Sequence, residues 1–489
     1  MMRSALTWDR LQGAISGDVV RPGSPGYEAA RKPAIANFRD GRPQAVVLCE
    51  TPEDVSEAIL FARRSGLHAA PRSGGHCFAG RSSTEGIVID VSPMNSVSVS
   101  GEVAVVGAGA RLGGVYDALD EHGLTIPAGC GPTVGISGLA LGGGLGILGR
   151  KHGLTSDHLV GARVVLGDGR IVECDEQHHE DLFWALRGSG GGHVGVVTSL
   201  VFRTVPAPGA TVFRLAWPHA HATSAIEAWQ NWSTDAPDEL SASLLVVAPS
   251  DPAQEPTVNV FGTMLGSESD TQDLLDGMAI RTGADPDSAF SEQMRYREAK
   301  RYLAELGDAM AGGNDWIGEV SAEDPPEGHS YGKSEFFRRR LPTEAIETLV
   351  ENFSEDRVPG QSRELDFTPW GGAYNRVSAE ATAFAHRGER FLLHHSAAAG
   401  PGASVVEREN ARGWLARSWA SVHPWGSGGA YPNFPDPELE FWERAYHGGN
   451  LDRLVRVKAK YDPDGFFRFH QSIPCRVPGS GVPGSDVSA

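Results

Sequence analysis

Apolar and polar positions alternate along the chain with two different periods. Residues 45–49, "AVVLC", form a short unbroken apolar run, the pattern of a buried strand. The stretch "TPEDVSEAILFARRSG" then brings Val55, Ile59 and Leu60 to one helical face. Its start carries Thr51 as N-cap, Pro52 at the first helical position and Asp54 to close a capping box. "LHAAPR" returns as a strand, and "GIVIDV" and "VAVVGAG" predict two more. "RLGGVYDALDEHG" predicts a helix stopped by Gly123. "VVLGDGRIVEC" predicts a hairpin turning at Asp168 and Gly169, followed by the short helix "EDLFWALRG" and the strand "GVVTSLVFRTV".

Past residue 206 the character changes. Glycine-rich loops thin out, and strands such as "ATVFRLAWP", "ELSASLLVVAP" and "TVNVFGTML" alternate with helices such as "TSAIEAWQNWS". From residue 425 a third segment combines a proline-rich turn with two helices and a Tyr-Asp-Pro stop. The expected division is therefore 1–206, 207–424 and 425–475. The Pro/Gly/Ser-rich end, 476–489, is expected to be a disordered tail.

The chain has 489 residues and a net charge of −19, which argues against nucleic acid or anionic lipid as a partner. It has five cysteines, widely spaced and without a C-x-x-C, so neither a disulfide framework nor a zinc knuckle is expected. No apolar segment has signal-peptide or membrane-span character, which points to a cytoplasmic location. The paired histidines of "QHHE" and "LLHHS" lack accompanying ligands at metal spacing. "GLGILG" matches G-x-G-x-x-G but is preceded by glycine rather than by a strand, and "VVGAGARLGG" has Leu112 where the third glycine belongs. "GHSYG" matches a nucleophile elbow but follows "VSAEDPPE", which is no strand.

Three glycine loops remain. In "PRSGGHCFAG" a strand enters a turn bearing Arg72, Ser73, Gly74, Gly75 and His76, where free N–H groups, a hydroxyl and a guanidinium suit a pyrophosphate. The second run, with Gly135, Ser137, Gly138, Gly142, Gly143 and Gly144, is free of obstructing side chains and suits the flat face of a long ligand. The third offers Gly195, Val196 and Val197. Together the loops fit an elongated dinucleotide.

The stretches "RSGGH", "GCGPTVGISGLALGGGLG", "GLTSDHL", "DLFWALRGSGGG", "YPNF" and "YDPDGFF" occur in this order along nearly the whole chain. In them the chain resembles the berberine-bridge-enzyme-like branch of the vanillyl-alcohol oxidase superfamily. The resemblance implies an α+β fold: a two-part FAD-binding domain of the PCMH type, made from the N- and C-terminal segments, with an inserted substrate domain of antiparallel sheet plus helices. It implies FAD held covalently, through its 8α-methyl carbon by His76 and through C6 by Cys130. An imidazole nitrogen and a thiolate are suitable nucleophiles for both bonds. Val134 falls where the family tunes oxygen reactivity and implies O2 as acceptor, with H2O2 as product. Tyr431 is the implied catalytic base, Tyr374 a second phenol that helps it, and Asn433 a neighbour of the flavin. His193 and Val194 depart from the family's usual Asn-Phe. The implied activity is oxidation of a secondary alcohol or hemiacetal, in a sugar, a glycosylated natural product or a polyketide alcohol. Oxidative ring closure, a dehydrogenase with another acceptor, and a flavin protein without turnover are the alternatives.

Overall fold

The computed structural model describes residues 7–310 and 328–476. Four strands make the first sheet: β1 (Asp18–Val20), β2 (Ala45–Leu48), β3 (Ala69–Arg72) and β4 (Ile87–Asp90), in the order β1-β2-β4-β3. β2, β4 and β3 are parallel and β1 is antiparallel. Helices cover a parallel sheet, so its strands are buried and continuously apolar. The crossover from β2 to β3 is the helix Pro52–Ser65, with the Thr51/Asp54 capping box formed and Gly66 left-handed at its end. The histidine-bearing loop leaves the carboxyl end of β3, the place where open α/β sheets present ligands.

The second sheet is antiparallel and follows the order β5-β6-β9-β7-β8, from β5 (Val97–Ser100), β6 (Val103–Gly107), β7 (Leu159–Leu166), β8 (Ile171–Cys174) and β9 (Gly195–Arg203). Leu454, Val455, Val457 and Tyr461, from the C-terminal helix Leu451–Tyr461, join the hydrophobic core of these two sheets.

The third sheet has seven strands, all antiparallel: β10 (Gly209–Pro218), β11 (Leu240–Ala248), β12 (Thr257–Met264), β13 (Ser288–Arg295), β14 (His329–Phe337), β15 (Gln361–Pro369) and β16 (Phe391–Ala399). Their order is β13-β10-β12-β11-β15-β16-β14. Strand alternation sorts the two faces. Leu244, Val246, Leu365, Phe367 and Leu393 pack into a second core with Trp229, Ile346 and Trp414 from the helices. Glu364, Asp366 and His394 stand on the opposite face. An aromatic cluster of Phe336, Trp370, Tyr374, Phe384 and Tyr431 joins this sheet to the glycine loops.

Ser330 of "GHSYG" lies within β14 rather than at a strand-to-helix turn, so it is no nucleophile elbow. "VSAEDPPE" and the tail beyond Arg476 lie outside the described residues.

Candidate active site

A cavity of about 650 Å³ opens where the three glycine loops meet the C-terminal segment and the third sheet. Such a volume is in the range of small-molecule and cofactor sites. Gly74 and Gly135 bring two of its loops into backbone contact. A Cβ on Gly74 would lie 2.3 Å from the Gly135 nitrogen, so neither position has room for a side chain. Gly75 has φ +74°, a conformation glycine adopts without strain.

His76 and Cys130 both line this cavity. The Thr133 hydroxyl meets His76 Nε2 at 3.2 Å. Burial, and then the nearby Arg111 charge, pushes the His76 imidazole down to about 4. Its ring is therefore neutral, with a nucleophilic nitrogen, at physiological pH. Cys130 is partly buried and carries a free thiol.

The Tyr431 hydroxyl oxygen accepts three hydrogen bonds, from the Gly144 N–H at 3.0 Å, the Leu145 N–H at 3.1 Å and Asn433 Nδ2 at 3.1 Å. Asn433 also donates to the Leu139 carbonyl at 2.9 Å. Burial outweighs these donors and pushes the phenol up to about 12. Asp366, on β15, lines the same cavity, and its buried Oδ1 has no hydrogen-bond partner among the described residues. Burial, opposed by a hydrogen bond from Thr368, pushes this carboxyl up to about 6. Glu364, two residues away on the same strand face, is pushed up to about 7, by burial first and then by the Asp366 charge.

The third loop is stapled from behind. Lys458 Nζ donates to the carbonyls of His193 at 2.5 Å and Phe467 at 2.6 Å, and pairs with Asp462 at 2.6 Å. The buried His193 ring accepts from the Ile473 N–H at 3.3 Å. His193 thus joins the loop to the C-terminal segment.

The cavity fits FAD on two counts. Gly138 lines it, and a Cβ there would meet no atom within 4 Å, so the loop leaves a flat open face. The donor set, His76 and Cys130, matches two carbon–heteroatom bonds to one ring system.

The FAD binding domain family profile matches residues 43–175, and the "berberine and berberine like" profile matches residues 430–474. The FAD-linked oxidoreductase YgaK of Bacillus subtilis is 32% identical over 471 residues, covering 94% of this chain and 97% of its own. Berberine bridge enzyme-like 1 of Arabidopsis thaliana is 30% identical over 498 residues, covering 94% and 90%. The chain belongs to the berberine-bridge-enzyme-like family of FAD-linked oxidoreductases. BBE-like 1 of Physcomitrella patens superposes with a TM-score of 0.84 at 26% identity, covering 96% of this chain and 100% of that one. Glucooligosaccharide oxidase of Acremonium strictum, whose FAD is 6-S-cysteinyl and 8α-N1-histidyl, superposes with a TM-score of 0.80 at 25% identity, covering 95% and 98%.

Within this family frame, several expected site residues do other work. The Arg72 guanidinium is spent on the carbonyls of Ser82, Ala30 and Arg31, at 3.0, 2.6 and 3.1 Å, so it ties the loop down instead of meeting an anion. Ser73 and Ser137 both donate to the Ala108 carbonyl, each at 2.8 Å. Gly142, Gly143 and Gly144 do not line the cavity. They make room for Asn433, Phe384 and Thr155, each within 3.0 Å of where a Cβ would stand.

Tyr374 does not line the cavity either. Its hydroxyl exchanges hydrogen bonds with the Gly146 backbone, its ring stacks on Trp370 at 4.3 Å, and burial raises its pKa. It is a structural wedge, not a second phenol for Tyr431. Trp370 is fully buried.

Arg72, Ser73, Gly74, Gly75 and Ser137 nevertheless line the cavity, as do Val134, Gly135, Gly195, Val196, Val197 and Asn433. Asp366 is the residue that sequence reasoning missed. Its strand "QSRELDFTP" carries Glu364 and Asp366 on the polar side of a regular polar/apolar alternation, so the sequence gives no signal that marks it.

Proposed function

We propose that the protein is an FAD-dependent oxidase of CH–OH groups, acting on a secondary alcohol or hemiacetal of a sugar, glycosylated natural product or polyketide. In this reading His76 and Cys130 hold FAD covalently. Bound FAD supplies the hydride acceptor and the centre at which O2 is reduced to H2O2.

The chain's own residues handle the proton. Removing hydride from an alcohol carbon requires the hydroxyl proton to leave as the C–H bond breaks. Asp366 supports this role best: an unpartnered buried carboxylate oxygen in the cavity, ionised at neutral pH with a pKa near 6. Tyr431, neutral near pH 7, orients the substrate oxygen or passes its proton on. Its oxygen is already held by the Gly144 and Leu145 N–H groups and by Asn433. Asp366 stands on the third sheet and Tyr431 on the C-terminal segment, so substrate enclosed between them meets acceptor and donor from separate elements. The N- and C-terminal segments serve FAD, and the inserted sheet serves the substrate.

The observation that carries the proposal is Asp366 in one cavity with His76, Cys130 and Tyr431. The test begins with acid denaturation of the purified protein. Flavin that stays with the chain, mapped to the His76 and Cys130 peptides, supports both bonds. A peroxide-coupled screen of sugars and secondary alcohols then tests the reaction. Flavin reduction without peroxide would replace the oxidase reading by a dehydrogenase one.

A further inference from the structure

We propose that Lys300 is a positioning residue for the Cys130 thioether, clamping the turn before Cys130 so that its sulfur is held for attachment. The inference rests on the reading that Cys130 bears FAD.

Lys300 sits on the helix Tyr296–Met310, whose Leu303, Ala304 and Gly307 line the cavity. Its side chain leaves that helix and reaches the loop of Cys130. The ammonium donates to the Ala128 carbonyl and, at 3.0 Å, to the Gly129 carbonyl. The Tyr116 hydroxyl donates to the same Gly129 carbonyl at 2.6 Å. The two peptide groups ahead of Cys130 are thus held by two side chains from separate helices. The rings of Tyr116 and Tyr296 lie 4.8 and 5.3 Å from the ammonium.

Lys300 is only 3% exposed, and among the described residues no carboxylate pairs with it. Carbonyls and π faces solvate an ammonium but do not neutralise it, so this is a costly place for a charge. Burial lowers the Lys300 pKa, and the Cys130 sulfur is the group whose charge opposes that shift. The other buried lysine, Lys458, has Asp462 as its counterion. Lys300 has two carbonyls and two phenol rings in that place. The ammonium's bonds are thus spent on the backbone that aims Cys130 into the cavity.

Attachment forms a bond from sulfur to flavin C6 and breaks the C6–H bond. The thiol hydrogen and the C6 hydrogen leave with two electrons to O2, giving H2O2 and restoring oxidised flavin. The balance therefore requires O2 as co-reactant.

The experiment compares the wild type, Lys300→Met and Lys300→Arg by digesting each protein and measuring the flavin-bearing fraction of the Cys130 and His76 peptides separately. The expected result is at least a tenfold smaller Cys130 fraction in Lys300→Met, with the His76 fraction unchanged and the Cys130 fraction recovered in Lys300→Arg. Full Cys130 attachment in Lys300→Met, at the wild-type rate, overturns the inference. If Lys300→Met loses both linkages, Lys300→Arg decides: a Cys130 thioether there supports the clamping role and its absence overturns it. A wild type without flavin on its Cys130 peptide defeats the bicovalent reading itself, and is visible before any variant is made.

Discussion

Two glycines of one loop, Gly138 and Gly142, are expected to respond to the same methyl group with opposite signs. In Gly142→Ala the new Cβ would stand 2.0 Å from Asn433 Oδ1 and 2.6 Å from its Cγ, so Asn433 must leave its place. Its Nδ2 hydrogen bonds to the Leu139 carbonyl and the Tyr431 hydroxyl go with it. At about 0.5–1.5 kcal/mol each, the loss is about 1–3 kcal/mol of stability. Gly138 is inside the helix Ile136–Leu141, and a Cβ there meets nothing within 4 Å. Gly138→Ala gains about 0.5–1 kcal/mol of helix preference, but its methyl projects into the cavity. Thermal unfolding followed by tryptophan fluorescence, with the flavin-to-protein absorbance ratio of the same samples, separates the two effects. Gly142→Ala should unfold at a lower temperature. Gly138→Ala should raise the unfolding temperature of its flavin-free fraction while its flavin ratio falls. A destabilised Gly138→Ala with full flavin, beside an unaffected Gly142→Ala, would refute the assignment of these glycines.

Further outcomes are expected at the other site residues. Asp366→Asn should slow substrate reduction of the flavin by roughly 10²–10⁴-fold, measured anaerobically by stopped flow. In the wild type kcat/KM should rise with pH through about 6 as Asp366 ionises, broadened by Glu364 at about 7, and the variant should lose that rise. The folded pKa of Asp366 lies above its ordinary 3.8, so ionisation costs stability as pH rises from about 4 through about 6; Asp366→Asn should therefore raise the unfolding temperature at pH 8 and not at pH 3. Tyr431→Phe should suppress flavin reduction at full flavin content, whereas Tyr374→Phe should mainly lower stability, by about 1 kcal/mol for its bond to Gly146. His76→Ala and Cys130→Ala should each keep one covalent link, and the double variant should release all its flavin in acid.

The legible parts of this molecule were those where local chemistry and long-range role coincide. The capped helix Pro52–Ser65 announces itself through Thr51, Pro52 and Asp54, and the loop after β3 through consecutive glycines beside His76. Glycine clustering reported that backbones approach closely, but not what approaches them. Gly138 faces open cavity, while Gly142, Gly143 and Gly144 make room for Asn433, Phe384 and Thr155. Composition cannot tell a surface left bare for a ligand from one left bare for another side chain, whether that chain is as near in sequence as Thr155 or as far as Phe384 and Asn433. Arg72 has the same ambiguity: a guanidinium beside glycines suits an anion, yet here three carbonyls reach it first.

Asp366 and Lys300 were illegible for a stricter reason. Each matters because of the face of a strand or helix on which it falls. A one-residue shift of β15 would turn Asp366 from the cavity into the core that holds Leu365 and Phe367. That register is set by pairing with Leu245 and His394, over a hundred residues away in one case and nearly thirty in the other. Lys300 reads in sequence as one more cation in the run "RYREAKR", and only packing of its helix against the Cys130 loop makes it a buried charge without a counterion. The residues proposed to hold the cofactor stand in short motifs, where each loop carries its own backbone chemistry. Those proposed to act on substrate or on attachment come from the inserted sheet and its helix, where position depends on register rather than on residue type.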